Sequence, residues 1–301
     1  MLDPRELFRL ATDRPETRDL VLIEALDGYI DAGGATRLAR DHLLATLDST
    51  VVATFDTDVL HDYRARRPTM LFAGDHWESY EDPRLALHLV RDSAGTPFLL
   101  LAGPEPDVQW ERFVAAVRLL CDELGVCLTV GLNAIPMAVP HSRPVGVIAH
   151  ASRPELIAGY VPWVNLVQVP GSAGHLMEFR LAQAGRDTMG FAVHVPHYVA
   201  QSAYPASASA LIDAVAKATG LALPTEALDL AAAKTRAEID DTVAQSSEVA
   251  EVVRALEEQY DALIARRGRE TLARGGGLPT ADELGAELER FLAEENRRGE
   301  E

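Results

Sequence analysis

The sequence predicts an α/β protein, a largely parallel sheet covered by helices on both faces, followed by a helical extension. Three observations carry this. From residue 19 to 222, short apolar runs alternate with amphipathic stretches, the pattern of a parallel sheet buried on both faces. From Pro224 the texture changes, and residues 228–267 contain neither Pro nor Gly, which suits one or two long helices. The 301 residues are 48% apolar and 25% charged, a balance that fits one large globular domain with an extension. We therefore divide the chain into an N-terminal segment 1–18, an α/β core domain 19–222 and an acidic helical extension 223–301.

Residues 20–26 (LVLIEAL) read as a buried strand. Residues 33–47 read as a helix with Ala35, Leu38, Ala39, His42 and Leu43 on one face. Residues 50–55 form a β-branched strand, and 69–73, 85–90 and 96–102 are further strands. Residues 107–124 form a helix, with Trp110, Phe113, Val114, Val117 and Leu120 at helical spacing, and Gly125 ends it. Strands at 126–130, 145–149 and 165–169 follow, then a helix at 173–184, a strand at 188–195 and a helix at 206–219 closed by Gly220. In the extension Ile239, Val243, Val249, Val253, Leu256, Tyr260 and Leu263 form a stripe expected to pack on the α/β body or on a neighbouring subunit. Gly275, Gly276 and Gly277 form a hinge. Thr280 and Glu283 then make a capping box for a last helix with Leu284, Leu288, Phe291 and Leu292 on its apolar face.

Charge narrows the partners. The chain carries 28 Lys+Arg against 46 Asp+Glu, a net of -18. That argues against nucleic acid and against anionic membrane surfaces, both of which need clustered bases. Half of the excess lies in the extension, where 10 basic face 19 acidic residues after position 224. The strand-end loops, by contrast, carry Arg64, Arg66, Arg67 and Arg143. Only Lys217 and Lys234 are lysines, so a lysine-dependent mechanism has two candidates. No apolar run approaches the ~18 residues of a membrane span, and the first residues lack the apolar core of a signal peptide. A cytoplasmic location is the expectation. Cys121 and Cys127, in apolar surroundings, read as buried free thiols.

The chain contains no P-loop, GxGxxG, GxSxG, HExxH or EF-hand pattern, and we expect no cofactor and no metal. Four loops remain as candidates. The glycine-rich turn DGYIDAGG (27–34) joins the first strand to the first helix. Gly28, Asp31, Gly33 and Gly34 there suit either an anion site at a helix N-terminus or a cap and a tight turn. Residues 56–68 bring Asp58, His61, Asp62, Tyr63 and Arg67 to the end of the second strand, where open α/β sheets bind ligands. A loop of mutually paired Asp and Arg is the alternative. Residues 133–144 (NAIPMAVPHSRP) are stiffened by three prolines that hold His141 and Arg143, for recognition or for a rigid interface. His197 and Tyr198, ahead of Tyr204, close the set, to cover a pocket or to bury against the sheet.

LDGYIDAGG, FDTDVLHDYRARRP, IPMAVPHSRP and VPHYVAQSAYP, in this order and spacing, resemble the proteasome assembly chaperone 2 family over residues 20–220. The likeness is to its actinobacterial branch of uncharacterised proteins, and it extends to the ending GGGLPTADELGAELERFLAE. The resemblance implies a three-layer α/β/α sandwich around a mixed sheet, like that of purine nucleoside phosphorylases and related hydrolases. It also implies a homo-oligomer, with a trimer as the family-derived size, and proteasome-related protein partners. Eukaryotic relatives insert a short C-terminal tail between ring subunits, and the ending NRRGEE departs from that mode. Two functions follow. One is an interaction or assembly factor without turnover. The other is a small-molecule-binding or hydrolase/phosphorylase-like enzyme, in which Gly28, Gly33 and Gly34 with Arg67 or Arg143 hold a small anion.

Overall fold

The computed structural model describes residues 2–12, 17–160 and 166–275, with side chains to residue 266. Its contacts separate two compact units, residues 1–242 and 243–301. In chain order the first unit contains β1 (Phe8–Leu10), β2 (Leu20–Asp27), α1 (Ala35–Thr46), β3 (Ser49–Phe55), the short α2 (Thr57–Leu60), β4 (Met70–Ala73), β5 (His76–Tyr80), β6 (Ala86–Arg91) and β7 (Pro97–Pro104). It continues with α3 (Trp110–Leu124), β8 (Val126–Met137), β9 (Val147–Ala151), α4 (Ala173–Gln183), β10 (Asp187–Pro196), α5 (Pro205–Thr219) and most of α6 (Glu226–Ala244). The second unit contains α7 (Ser247–Gly275).

Eight strands form one sheet in the order β1-β3-β6-β7-β2-β8-β10-β9. β7, β2, β8 and β10 are parallel to their neighbours in this central group. β1, β3 and β6 on one side, and β9 on the other, are antiparallel additions. The sheet is therefore mixed around a parallel centre, with helices on both faces. The side chains alternate as period 2 requires. Ile23 and Ala25 face a core layer shared with Ala35, Ala39 and Leu43 of α1 and Leu211 and Ile212 of α5. Leu20, Leu22 and Leu26 face the other layer, with Phe113, Val117 and Leu120 of α3 and Met177 and Leu181 of α4.

Several expectations needed correcting. Residues 69–73 do form a strand, but as β4 of a separate two-stranded hairpin with β5, outside the main sheet. Leu166–Val169 adopt no regular structure and are exposed, so the strand expected at 165–169 is absent from its described part; Asn165 lies outside the described residues. β8 runs seven residues past 130, because β10 pairs with it in parallel as far as Met137 opposite Pro196. Cys121 is buried, and burial pushes its thiol up to about 12. Cys127 is exposed: at the start of β8 the pairing with β2 slips, Leu20 opposing Val126 and Val21 opposing Leu128, and Cys127 is the extra residue. Gly276, Gly277 and the last helix fall outside the described residues. Among the described residues no helix is long and apolar enough to cross a membrane.

Phe113 is fully buried and its ring lies 5.2 Å from that of Phe55. Phe113→Ala is expected to cost about 3–5 kcal/mol, the usual penalty for emptying such a position. Denaturant titration of the variant checks it.

Candidate functional site

The chain leaves β2 through α1 toward the β3 side and leaves β8 toward β10. The carboxyl ends of the neighbouring strands β2 and β8 therefore flank a topological switch point, where α/β folds bind their ligands. The turn at 27–34 lies there. The Asp31 carboxylate accepts the N–H groups of Thr36 (2.7 Å) and Arg37 (3.2 Å). It thus fills the α1 N-terminus with the chain's own negative charge. Burial nevertheless pushes the Asp31 carboxyl above the usual range, against the pull of those two donors. Gly33, at φ 65°, packs so closely that a Cβ would come within 2.8 Å of Tyr204 Cβ, and its N–H donates to Ala200 O at 2.7 Å. Gly34 is the helix N-cap, and Gly28 faces Glu105.

The loop at 56–68 is held by its own charges. Asp62 accepts from the N–H groups of Arg64 and Ala65, and its own N–H donates to Asp107 at 2.6 Å. The Tyr63 hydroxyl donates to Asp58 at 2.6 Å, which raises the tyrosine's pKa. Arg66 pairs with Asp107 at 2.7 Å and donates to the carbonyls of Asp27 and Glu105. Arg67 is exposed.

His141 and Tyr198 do come together. The Tyr198 oxygen accepts the His141 backbone N–H (2.8 Å), and its hydroxyl donates to Nδ1 (2.7 Å). Nε2–H then donates to Asp240 of α6 (3.0 Å). One ring tautomer satisfies the whole chain of bonds. It ties three segments of the first unit around a histidine that is 5% exposed. Arg143 lies two residues on, with Nη1 3.5 Å from Ser142 Oγ. His197 is exposed and edges the Tyr198 ring. The eleven candidates therefore divide among a helix cap, a self-paired loop and a histidine clamp.

A second constellation was not anticipated. Cross-strand register sets Glu24 of β2, Gly131 of β8, Gly190 of β10 and His150 of β9 in one row. The row lies on the sheet face covered by α4. The two glycines leave a trough, and Glu178 of α4 lies in it. A Cβ at Gly131 or Gly190 would collide with its Oε1. Glu178 Oε2 meets His150 Nε2 at 2.6 Å, while Oε1 is buried without a hydrogen bond. Burial depresses the His150 pKa, but the bond to Glu178 and its charge outweigh that and raise it. Glu24 is 5% exposed. Burial, then the charge of Glu178, push its carboxyl up to about 8, against the Leu26 N–H that donates to it at 3.3 Å.

Beside Glu24 a cavity of about 20 Å3, room for one water-sized group, is walled by Tyr29, Glu105, Ser172, Gly174 and His175. Glu105 Oε1 takes the Ala173 N–H (2.6 Å) and Ser172 Oγ the His175 N–H (3.0 Å), so side chains cap the start of α4. Among the described residues no group of three His, Cys, Asp or Glu is placed to hold a metal ion.

The model of the PAC2 family matches residues 25–243, most of the chain. The chain belongs to the PAC2 family. A Mycobacterium tuberculosis protein of unknown function is similar at 51% identity, with a TM-score of 0.86 over 89% of this chain and 92% of that one. A Mycobacterium tuberculosis proteasome-assembly chaperone homologue is similar at 26% identity, with a TM-score of 0.71 over 78% and 100%. The Pyrococcus furiosus archaeal proteasome activator PbaB shares the fold at 16% identity, with a TM-score of 0.59 over 79% and 99%. No curated protein matches the chain. The PAC2 match spans the histidine clamp and, of the buried row, Gly131, His150, Glu178 and Gly190; Glu24 stands one residue before its start.

Glu24 had one visible signal, a charge inside LVLIEAL at a position where alternation calls for a core residue. Glu178, His150 and His175 had none, because their meeting depends on register between distant strands.

Two outcomes follow. Tyr198→Phe leaves the His141 N–H and Nδ1 unpaired and is expected to cost about 1–3 kcal/mol in urea unfolding. Glu24 keeps its proton to about pH 8 when folded, against 4.5 ordinarily. Between these values the folded chain holds more protons than the unfolded one, so its stability falls as pH rises. Glu24→Gln abolishes that loss. It is expected to gain on the wild type from pH 5 to pH 8 by on the order of 1 kcal/mol per pH unit, measured by denaturation at several pH values.

Proposed function

We propose that the chain is an assembly-chaperone-like protein that works by binding protein, without turnover, and that it self-associates through the β4–β5 hairpin. Membership of the PAC2 family and similarity to a proteasome-assembly chaperone homologue support the chaperone-like role. The hairpin is the observation that carries the self-association. Met70, Leu71, Phe72, Trp77 and Tyr80 are each 46–62% exposed. Phe72 and Trp77 pack edge-on at 5.1 Å, and every residue of the two strands except Ala73 is exposed.

An isolated two-stranded hairpin is marginal in water, and such an apolar patch marks a protein contact. A second copy of the chain supplies an identical apolar ribbon, in the closed symmetric arrangement common to oligomers. We take the family's trimer as its size, and proteasome-related subunits as the partners of the assembled form.

Native mass measurement at micromolar concentration is expected to show a closed oligomer. Phe72→Ser combined with Trp77→Ser is expected to give monomer with the thermal transition of the core retained. A wild-type monomer that also fails to retain proteasome α-subunits in a pull-down overturns the reading.

A further inference from the structure

We propose that the crevice between the carboxyl ends of β2 and β8 is a binding site for the primary ammonium group of a small amine. This goes beyond the proposed protein-binding role and rests on separate residues. The floor is the Glu24 carboxyl. Its Oε1 takes the Leu26 N–H, and its Oε2 has no hydrogen-bond partner among the described residues. Once ionised, a carboxyl so buried, with an open acceptor, is stabilised by a bound N–H donor.

The charged groups in the surroundings are carboxyls. Glu105 and the Asn133 side chain border the cavity, and His175 Nδ1 is buried without a bond. The lining contains neither Lys nor Arg. An anionic ligand would meet Glu24 and Glu105, with Glu178 behind them. A cation relieves all three.

Size selects among cations. The cavity admits about one water-sized group. An ammonium is that size and carries three donors, whereas a planar guanidinium is too large. Gly174 keeps the space open, since a Cβ there would stand 2.9–3.1 Å from the Glu24 carboxyl. The rim is reachable because Tyr29 is 52% exposed and Ser172 is partly exposed.

The groups facing Glu24 are Glu105 after β7, His175 and Glu178 on α4, and Tyr29 in the turn, with His150 behind Glu178. The ionised form of Glu24 is the one that binds. Below about pH 8 a proton competes for it, so affinity falls about tenfold for each pH unit lowered.

The test is thermal unfolding of the full chain at pH 8.5 in ammonium or methylammonium chloride, up to about 100 mM, against equal sodium or tetramethylammonium chloride. Tetramethylammonium has the charge but no N–H donor. A saturable rise of about 3 °C is expected at ten times Kd. It should weaken toward pH 6 and vanish in Glu24→Gln. Gly174→Ala, whose methyl group would crowd the Glu24 carboxyl at 2.9–3.1 Å and occupy the space beside it, should abolish it as well. Equal shifts in all four salts, or a rise that survives both substitutions, overturn the proposal. The wild-type comparison of salts decides even if a variant does not fold. Neither result bears on whether the hairpin self-associates.

Discussion

A carboxylic acid in the middle of a parallel sheet is the constraint around which this fold is arranged. Glu24 stands on the central strand β2, between Leu22 and Leu26, on the face that α4 covers. A leucine there would let α4 pack flat. The acid instead requires polar neighbours and space, because a buried carboxyl without partners costs several kcal/mol. The register supplies both, with glycines at the next two positions of the row and a histidine at the edge. Glu178 enters from the helix to reach that histidine. The low amphipathicity of α4, which presents Glu178 and His175 inward, is the helical counterpart of the same row.

Elsewhere the molecule disposes of its charges locally. Asp31 caps α1, Asp62 closes its own loop, and Arg66 fastens that loop to the end of β7. Such arrangements stiffen the rim of the switch point and leave an acidic recess between β2 and β8. The rim loops are thus a frame, and the buried acidic groups lie beneath them. The β4–β5 hairpin departs from this economy. It leaves Met70, Leu71, Phe72, Trp77 and Tyr80 exposed together on one two-stranded ribbon.

Most of the central strands and the four covering helices could be read from the chain, because each has an apolar period of its own. β1 and β5 could not. β1 has three residues and exists only by pairing with β3, and GDHWESYED has no apolar run to announce a strand. Residues 165–169 have the composition of a strand but no neighbour to pair with in their described part. The family was legible in the order of four loops. Of the candidate groups, the clamp residues His141 and Tyr198 stood out by type, whereas their bond and the contact with Asp240 required the fold. The acidic row was hidden, since glycine carries a signal only when its neighbour's size is known.

That row has a consequence for how the sequence can change. Gly131, Gly190 and Glu178 fill one volume: the absence of two β-carbons is what the glutamate side chain occupies. No member of the three can drift alone. A methyl group gained on either strand has to be matched by methylene groups lost from the helix, and the bond to His150 is lost with them. Across relatives, these positions are therefore expected to vary as a linked set or not at all, a signature of steric bookkeeping in a place where each residue by itself looks unremarkable.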